Sequence, residues 1–585
     1  MKMDTISTIF GQLGPLRKAG AGLPGLKLEV ISDVTYGPLS QIVEYYCLSN
    51  FGMTLTQSVG LFDEFNKYAY CKKDIEKDSI VYFHTSALKF YQSNIRCVDK
   101  YKDEARVEEL LNSYLETINL VANSYADSRI IINTFELPII RPRGSYDSID
   151  GLIFMVRRLN QRLIDISRRY PNVFINDVEF LSSQVGLSNW HSLNSWVNFG
   201  LPYSEPALIR LGSSLASIMG GMAGRTKKCL ITDLDNTYWG GIIGDDGPSK
   251  LDTTIETKAG MRFRIYQSYL RDLKKSGVYL AISSKNDVDY VRSHFDSLSE
   301  NLKLDDFDAH QINWNPKSAG INDICERLNI SPSDAIFVDD NPAELNEVSA
   351  AGLESIGLRY DDDLLIFLYN VDIFGFFESQ KLTTEDRNRK APNIELGVLG
   401  QKESKVDYSD FLVSLNMTSL MSVRDPSFST RCTSLVNKTN QFNLTQVKLT
   451  EFEYLGFCRD DNKWVTCFSL QDIHDSHGIT SVIFGTISGN TATIINWVMS
   501  CRVFNRNFEF TILTGICQWL VTKGISRVVL TLKHSDRNNY AQNFIKRLEV
   551  VLDQLPCAGR PGESSWSFNV ENIKEVSDGR FITLS

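Results

Sequence analysis

Apolar residues fall along this chain in short runs, each ending in polar or acidic residues, and the runs alternate with stretches of helical period. Residues 26–32 (LKLEVIS), 81–88 (VYFHTSAL) and 129–135 (RIIINTF) are three such runs in the first part of the chain. Residues 227–237 (KKCLITDLDNT), 278–287 (VYLAISSKND) and 334–344 (DAIFVDDNPAE) are three more in the middle. Short apolar runs spaced by amphipathic stretches predict parallel strands alternating with helices. One such helix is 261–276 (MRFRIYQSYLRDLKKS), which Gly277 closes as a C-cap. The fold class is therefore α/β and multidomain, with a doubly wound core whose polar residues gather at the strands' carboxyl ends, where such sheets build their sites.

The last part has a different rhythm. Residues 481–500 (SVIFGTISGNTATIINWVMS) predict two adjacent strands around a Ser-Gly-Asn turn. A helix over 511–524 and a strand over 526–533 follow, which predicts a block that is α/β or α+β. Residues 380–404 are polar and carry Pro and Gly, as a linker does. The expected domains are 1–222, 223–378 and 405–585, with 379–404 as the linker.

At 585 residues, two to four domains are expected, and 43% apolar with 23% charged residues is the composition of a globular protein. The net charge of −10 argues against nucleic acid as a partner, because phosphate binding needs clustered cations. No apolar run is long enough to span a membrane, and the opening lacks the apolar segment of a secretory signal. Eleven cysteines without CxxC pairs suit a reducing compartment. A cytoplasmic protein is the expectation.

The chemistry is concentrated at the ends of the middle strands. Asp233 and Asp235 stand i, i+2 where the first of them leaves the sheet. One can act as a nucleophile while the other gives and then removes a proton. Ser284 ends the second strand and offers a hydroxyl to a phosphoryl oxygen. Lys317 follows in NWNPKSAGI and can balance negative charge. Asp339 and Asp340 end the third strand and suit magnesium. Each piece alone is a common surface feature; the ordered set DxDxT, Ser, Lys, DD is not.

That order resembles the HAD (haloacid dehalogenase) superfamily. The longer stretches DLDNTYWGGIIGDDG, INWNPKS and FVDDNPAE are similar to its FkbH-like (IIIC) family, as are LVNKTNQFNLT, DIHDSHGI, SCRVFNRNFE and RNNYAQNF further on. The resemblance implies a HAD core, an SGNH-hydrolase-like domain before it and a GNAT-like acyltransferase domain after it. It implies Asp233 as the phosphoryl acceptor, Asp235 as acid/base and Lys317 as catalytic. Asp233, Asp235 through its backbone carbonyl, and Asp340, with Asp339 in support, would hold Mg2+. Thr237, Ser284, Asn286 and Asn341 would bind substrate. Members are associated with loading an acyl group from an acyl phosphate of the 1,3-bisphosphoglycerate type onto a phosphopantetheinylated acyl carrier protein, for polyketide or surface-polysaccharide synthesis. About fifty residues separate Asp233 from Ser284 and about thirty separate Ser284 from Lys317. Neither interval holds a cap domain, so the site is expected to be open, or lidded by the flanking domains and a Trp239-Gly240-Gly241 flap.

Two positions depart from the family pattern. Leu234 stands where some relatives carry a cysteine, and Asn505 and Asn507 stand where a glycine-rich pyrophosphate loop would have glycines. Cys501 beside Arg502 is then the remaining thiol for acyl handling, with His477 as a base and Asn440 among the amides that could grip an acyl arm. Against each stands a plainer role: a buried strand cysteine, a polar turn, a cap-and-turn network. In the N-terminal block Ser32-Asp33 differs in order from Gly-Asp-Ser, and His191 lies fourteen residues after Asp177, so that block is read as non-catalytic. A plain phosphatase or phosphotransferase and a carrier-docking scaffold are the alternatives to acyl transfer.

Overall fold

The computed structural model describes residues 5–60, 79–87, 89, 104–246, 251, 258–297, 302–358, 367–368, 371–372, 374–379, 412–413, 415–473, 476–500, 503–504, 506–535, 538–552, 562–573 and 582–584. It forms two compact units. One is residues 1–223 with 372–380 and 450–453; the other is 224–371 with 381–449 and 454–585. The expected linker lies, but for residue 379, outside the described residues.

The first unit is built on an all-parallel sheet. Its strands are β1 (Gly25–Ser32), β2 (Thr54–Val59), β3 (Ile80–His84), β4 (Arg129–Asn133) and β5 (Val173–Asn176), in the order β2-β1-β3-β4-β5. β3 is buried at every position, as a central strand covered on both faces by helices must be. The helices Gly37–Phe51 and Glu205–Met222 cross closely because Gly212 lies against Ile42, where a Cβ would come within 2.5 Å.

The second unit holds two sheets. The first has β6 (Cys229–Thr232), β7 (Tyr279–Ser284), β8 (Ala309–Ile312), β9 (Ala335–Asp339) and β10 (Ser355–Gly357) in the order β10-β9-β6-β7-β8, all parallel. β6, β7 and β9 are buried throughout, which explains their unbroken apolar runs. Gly277, at φ +87, ends the helix before β7 as its sequence position predicts. With β6 at the centre, the carboxyl ends of β6, β7 and β9 stand side by side, and the polar residues that follow each strand converge.

The other sheet is mixed and seven-stranded. It contains β11 (Met417–Val423), β12 (Lys463–Gln471), β13 (Ser476–Ser488), β14 (Thr491–Met499), β15 (Arg527–Lys533), β16 (Glu563–Asn569) and β17 (Ile582–Leu584), in the order β16-β15-β14-β13-β12-β11-β17. β13 and β14 form the expected hairpin, with Gly489 at φ +59 in its turn. β14 and β15 are parallel and pair over three residues only, Thr491 to Thr493 against Arg527 to Val529. Beyond that the segment Phe442 to Thr445 fills the gap: Leu444 donates to Trp497 O and accepts from Lys533 N. No described helix is long and apolar enough to cross a membrane.

Candidate active site

β6 delivers Asp233 directly from the sheet, its backbone N–H still bonded to Val338 O at 2.9 Å. The chain then folds tightly back. Leu234 O accepts from the N–H groups of Thr237, Tyr238 and Trp239, and Asn236 takes a left-handed conformation at φ +53. Asparagine tolerates that conformation, so the turn needs no glycine there. Leu234 itself is fully buried and contributes shape, not chemistry.

The turn points the two motif aspartates at different partners. Asp233 faces Lys317 and Ser284. Asp235 accepts from Trp239 Nε1 (2.8 Å), the Ile243 N–H (3.2 Å) and Asn286 Nδ2 (3.0 Å). Asn286 also donates to Ser284 Oγ at 3.0 Å, so one amide ties the acid/base candidate to the serine beside the nucleophile candidate.

Lys317 opens the helix Lys317–Arg327 and reaches inward, only 3% exposed. Its ammonium donates to Asp233 Oδ1 and to Ser283 O, lies 3.7 Å from Asp339 Oδ2 and sits 5.4 Å from the centre of the Phe337 ring. Of the two serines ending β7, Ser284 presents its hydroxyl to Asp233 and Ser283 its carbonyl to the lysine. Glu347 holds the start of the same helix through the Ser318 N–H (3.2 Å) and hydroxyl, a role the sequence reading missed. Its signal was the helical spacing of Glu344 and Glu347 behind Asn341.

Asp233, Asp339 and Asp340 each place a carboxylate oxygen within 4.8 Å of the others. Three carboxylates against one ammonium leave a formal charge of about −2 (−3 + 1), which a divalent cation would cancel. Asp339 Oδ2 is buried and accepts no hydrogen bond, as a ligand atom awaiting a cation would. An all-oxygen donor set suits magnesium. The carboxylate of Asp235 is outside this cluster, held by Asn286, Trp239 and Ile243; the ligand expected from Asp235 is its backbone carbonyl.

Burial pushes all three cluster carboxyls upward. For Asp339 the neighbouring Asp233 adds to the effect, carrying it to about 7. Asp233 is raised by burial against the opposing pull of Lys317, and Asp340 by burial and then Asp233. A cation must therefore displace protons, and magnesium affinity should rise as pH climbs through 7. Without the metal the folded state holds a proton on Asp339 that the unfolded chain has lost. That contribution to stability is full below about pH 4 and falls away between about pH 4 and pH 7. Melting temperature measured against pH in EDTA should show this decline, and Asp339→Asn should flatten it.

Three residues expected to touch substrate also bond within the protein. Thr237 Oγ1 donates to Asp340 Oδ1 at 3.2 Å and accepts from the Asp340 N–H at 3.0 Å, clasping the β6 turn to the end of β9. Asn341 caps the helix Pro342–Ala350, accepting from the Ala343 N–H. Asn286 bridges Asp235 and Ser284 as described. The expected flap is also corrected. Trp239 is fully buried, packs edge-on against His294 and Phe295, and hydrogen-bonds Asp235. A side chain this enclosed is part of the core, not a lid.

In the last sheet, Cys501 and Arg502 lie outside the described residues, as do His474 and Asn505. Asn440 donates to Gly224 O at 2.9 Å, and Asn437 and Asn443 likewise bond backbone groups. The amides form a cap-and-turn network in place of the expected acyl grip. His477 Nε2 lies 2.9 Å from Asp472 Oδ2, which also accepts from Arg506 Nη1 at 2.5 Å. Asn507 adopts φ +56, taking the left-handed turn that a glycine would otherwise supply.

No family model matches the chain, and no curated protein does. Among solved structures, the N-terminal part of a Bacteroides fragilis protein, containing a phosphatase domain complexed with Mg, is similar at 25% identity and a TM-score of 0.59. The likeness covers 65% of this chain and all of that one. The ribosomal-protein-S18-alanine N-acetyltransferase of Escherichia coli is similar over 26% of this chain and 94% of its own, at 10% identity and TM-score 0.20. A GNAT-family acetyltransferase of Streptococcus pneumoniae is similar over 26% and 98%, at 14% identity and TM-score 0.20. The first likeness is to a structure that contains a phosphatase domain, and in this chain the donor set at Asp233, Asp339 and Asp340 beside Lys317 fits magnesium as a cofactor.

Proposed function

We propose that this enzyme transfers the phosphoryl group of an acyl phosphate to Asp233. One observation carries the reading: a buried lysine bonded to Asp233 with Asp339 and Asp340 alongside, a centre built to hold a phosphoryl group among carboxylates. Magnesium, held by those three carboxylates, would supply charge neutralisation for phosphoryl oxygens. Lys317 pulls Asp233 toward its ionised form and orients it, and its charge offsets that of the incoming group. Ser284 offers a hydroxyl to a phosphoryl oxygen. Asp235, steadied by Asn286 and Trp239, gives a proton to a leaving oxygen and later takes one from the water that hydrolyses the aspartyl phosphate.

A second reading rests on the FkbH-like stretches. In it the substrate is an acyl phosphate of the 1,3-bisphosphoglycerate type, and the thiol of a phosphopantetheinylated carrier attacks the carbonyl carbon. Phosphate then leaves into the same centre, and the GNAT-like last domain presents or receives the acyl group. The two routes break different bonds, so one experiment separates them. The full chain is incubated with magnesium, acetyl phosphate or 1,3-bisphosphoglycerate, and a phosphopantetheinylated carrier. Phosphate release without a change in carrier mass supports transfer to Asp233. A carrier heavier by one acyl group supports the second reading. No phosphate from either substrate removes both.

A further inference from the structure

The first unit carries a surface that the proposed reaction does not use. Residues 139–169 hold seven arginines and three aspartates, with no lysine and no glutamate, a net of +4 (7 − 3) in a chain whose total is −10. They form most of the connection after β4 and the helix Leu152–Arg169. Helical spacing accounts for the inner face of that helix. Val156, Leu159, Leu163 and Ile166 are buried in the core that holds Phe83 of β3 and Ile132 of β4. The connection is fastened to the helix and folded on itself. Phe135 N–H donates to Asn160 Oδ1 and Asn160 Nδ2 to Phe135 O, each at 2.8 Å. Arg143 donates to Asp147 Oδ1 at 2.9 Å and to Asp150 O at 3.4 Å. Residues 139–158 are thereby gathered at the start of the helix.

What this end shows to solvent is a mixture of bare apolar and cationic groups. Ile140 is 75% exposed and Ile149 69%, and Ile139 and Phe154 are exposed as well. Arg158 lies over the Phe154 ring at 5.6 Å and Arg143 over the Tyr146 ring at 4.7 Å. Arg141 and Arg157, both exposed, make no hydrogen bond or ion pair among the described residues. A face that only keeps a helix in water would draw on lysine and glutamate too. Arginine and aromatic residues without lysine or glutamate is the composition of an interface, and the isoleucines would gain from being covered. The guanidinium fork matches a carboxylate with two bonds, so the surface that fits here is acidic. The rest of the chain carries −14 (−10 − 4) and repels an extended polyanion such as nucleic acid or an anionic bilayer. A compact patch of carboxylates on a protein can meet the basic face alone, because charges beyond a Debye length of about 8 Å are screened.

We propose that this face docks a partner protein through an acidic surface with an apolar centre: its carboxylates meet Arg141 and Arg157, and its apolar side chains cover Ile140 and Ile149. The probe is a fluorescein-labelled amphipathic peptide with glutamates on one face and leucines on the other. A control peptide has lysines in place of the glutamates. Fluorescence anisotropy with the full chain should show saturable binding of the acidic peptide that weakens as salt is raised, and none of the lysine peptide. Arg141→Glu combined with Arg157→Glu should weaken that binding at least about tenfold, and so should Ile140→Ser combined with Ile149→Ser. All four side chains are exposed, so both variants should keep the circular dichroism of the parent. Absence of saturable binding of the acidic peptide overturns the proposal. So does binding that is unchanged in either folded variant. So does the lysine peptide, duplex DNA or a phosphatidylglycerol vesicle binding the parent as tightly as the acidic peptide.

Discussion

Asp233→Asn should lower phosphate release from an acyl phosphate at least about a thousandfold, roughly 4 kcal/mol of transition-state stabilisation. The size follows from the role. The substitution removes the anionic oxygen that would form the bond to phosphorus and leaves an amide that cannot. Other changes are kept small by design. Asparagine retains an oxygen for the Lys317 ammonium to bond, so the lysine keeps one of its acceptors along with Ser283 O. Deleting the side chain altogether would abandon a buried ammonium, at a cost of about 3–5 kcal/mol, and mix a folding defect into the kinetics. Steady-state phosphate release from parent and variant, with circular dichroism to verify the fold, checks the prediction. A loss below tenfold would mean that Asp233 only helps to hold the cation.

Asp340→Ala should abolish both activity and the response of the protein to magnesium. In the parent, saturating magnesium stabilises the folded state by mass action, about 2.7 kcal/mol at a hundred times Kd, which amounts to several degrees in the melting of a domain of this size. Asp340 is the most exposed of the three cluster carboxylates, and its principal tie within the protein is to Thr237. Its removal therefore costs the fold little while taking away one of three ligands. Melting curves with magnesium and with EDTA, for parent and variant, separate the effects. The parent should lose activity in EDTA and regain it on adding magnesium; the variant should neither shift nor regain. A parent fully active in EDTA would remove the metal from the account.

Much of the fold could be read from the chain because buried parallel strands leave an unmistakable pattern. β6, β7 and β9 appear as apolar runs that stop abruptly at Asp233, Ser284 and Asp339, and a parallel sheet brings such stops together without further information. What could not be read depends on where a side chain turns after the strand ends. The i, i+2 spacing of Asp233 and Asp235 suggests that both carboxylates turn toward one point. The left-handed Asn236 and the three bonds to Leu234 O send Asp235 to Asn286 and Trp239 instead. Trp239 beside two glycines looks like a hinged lid in one dimension, yet the aromatic faces of His294 and Phe295, more than fifty residues on, enclose it. The asparagines near 440 look like a polar grip until Gly224, two hundred residues earlier, is seen to accept from Asn440.

The most direct measurement is to trap the phosphoryl group on the enzyme. The full chain, mixed with magnesium and acetyl phosphate, is quenched in acid and reduced with borohydride, which converts an aspartyl phosphate to homoserine. Peptide mapping by mass spectrometry then reads the modified position. The account predicts homoserine at residue 233 in the parent and none in Asp233→Asn. Homoserine at another aspartate, or an unmodified Asp233 in enzyme that is releasing phosphate under the same conditions, would contradict it.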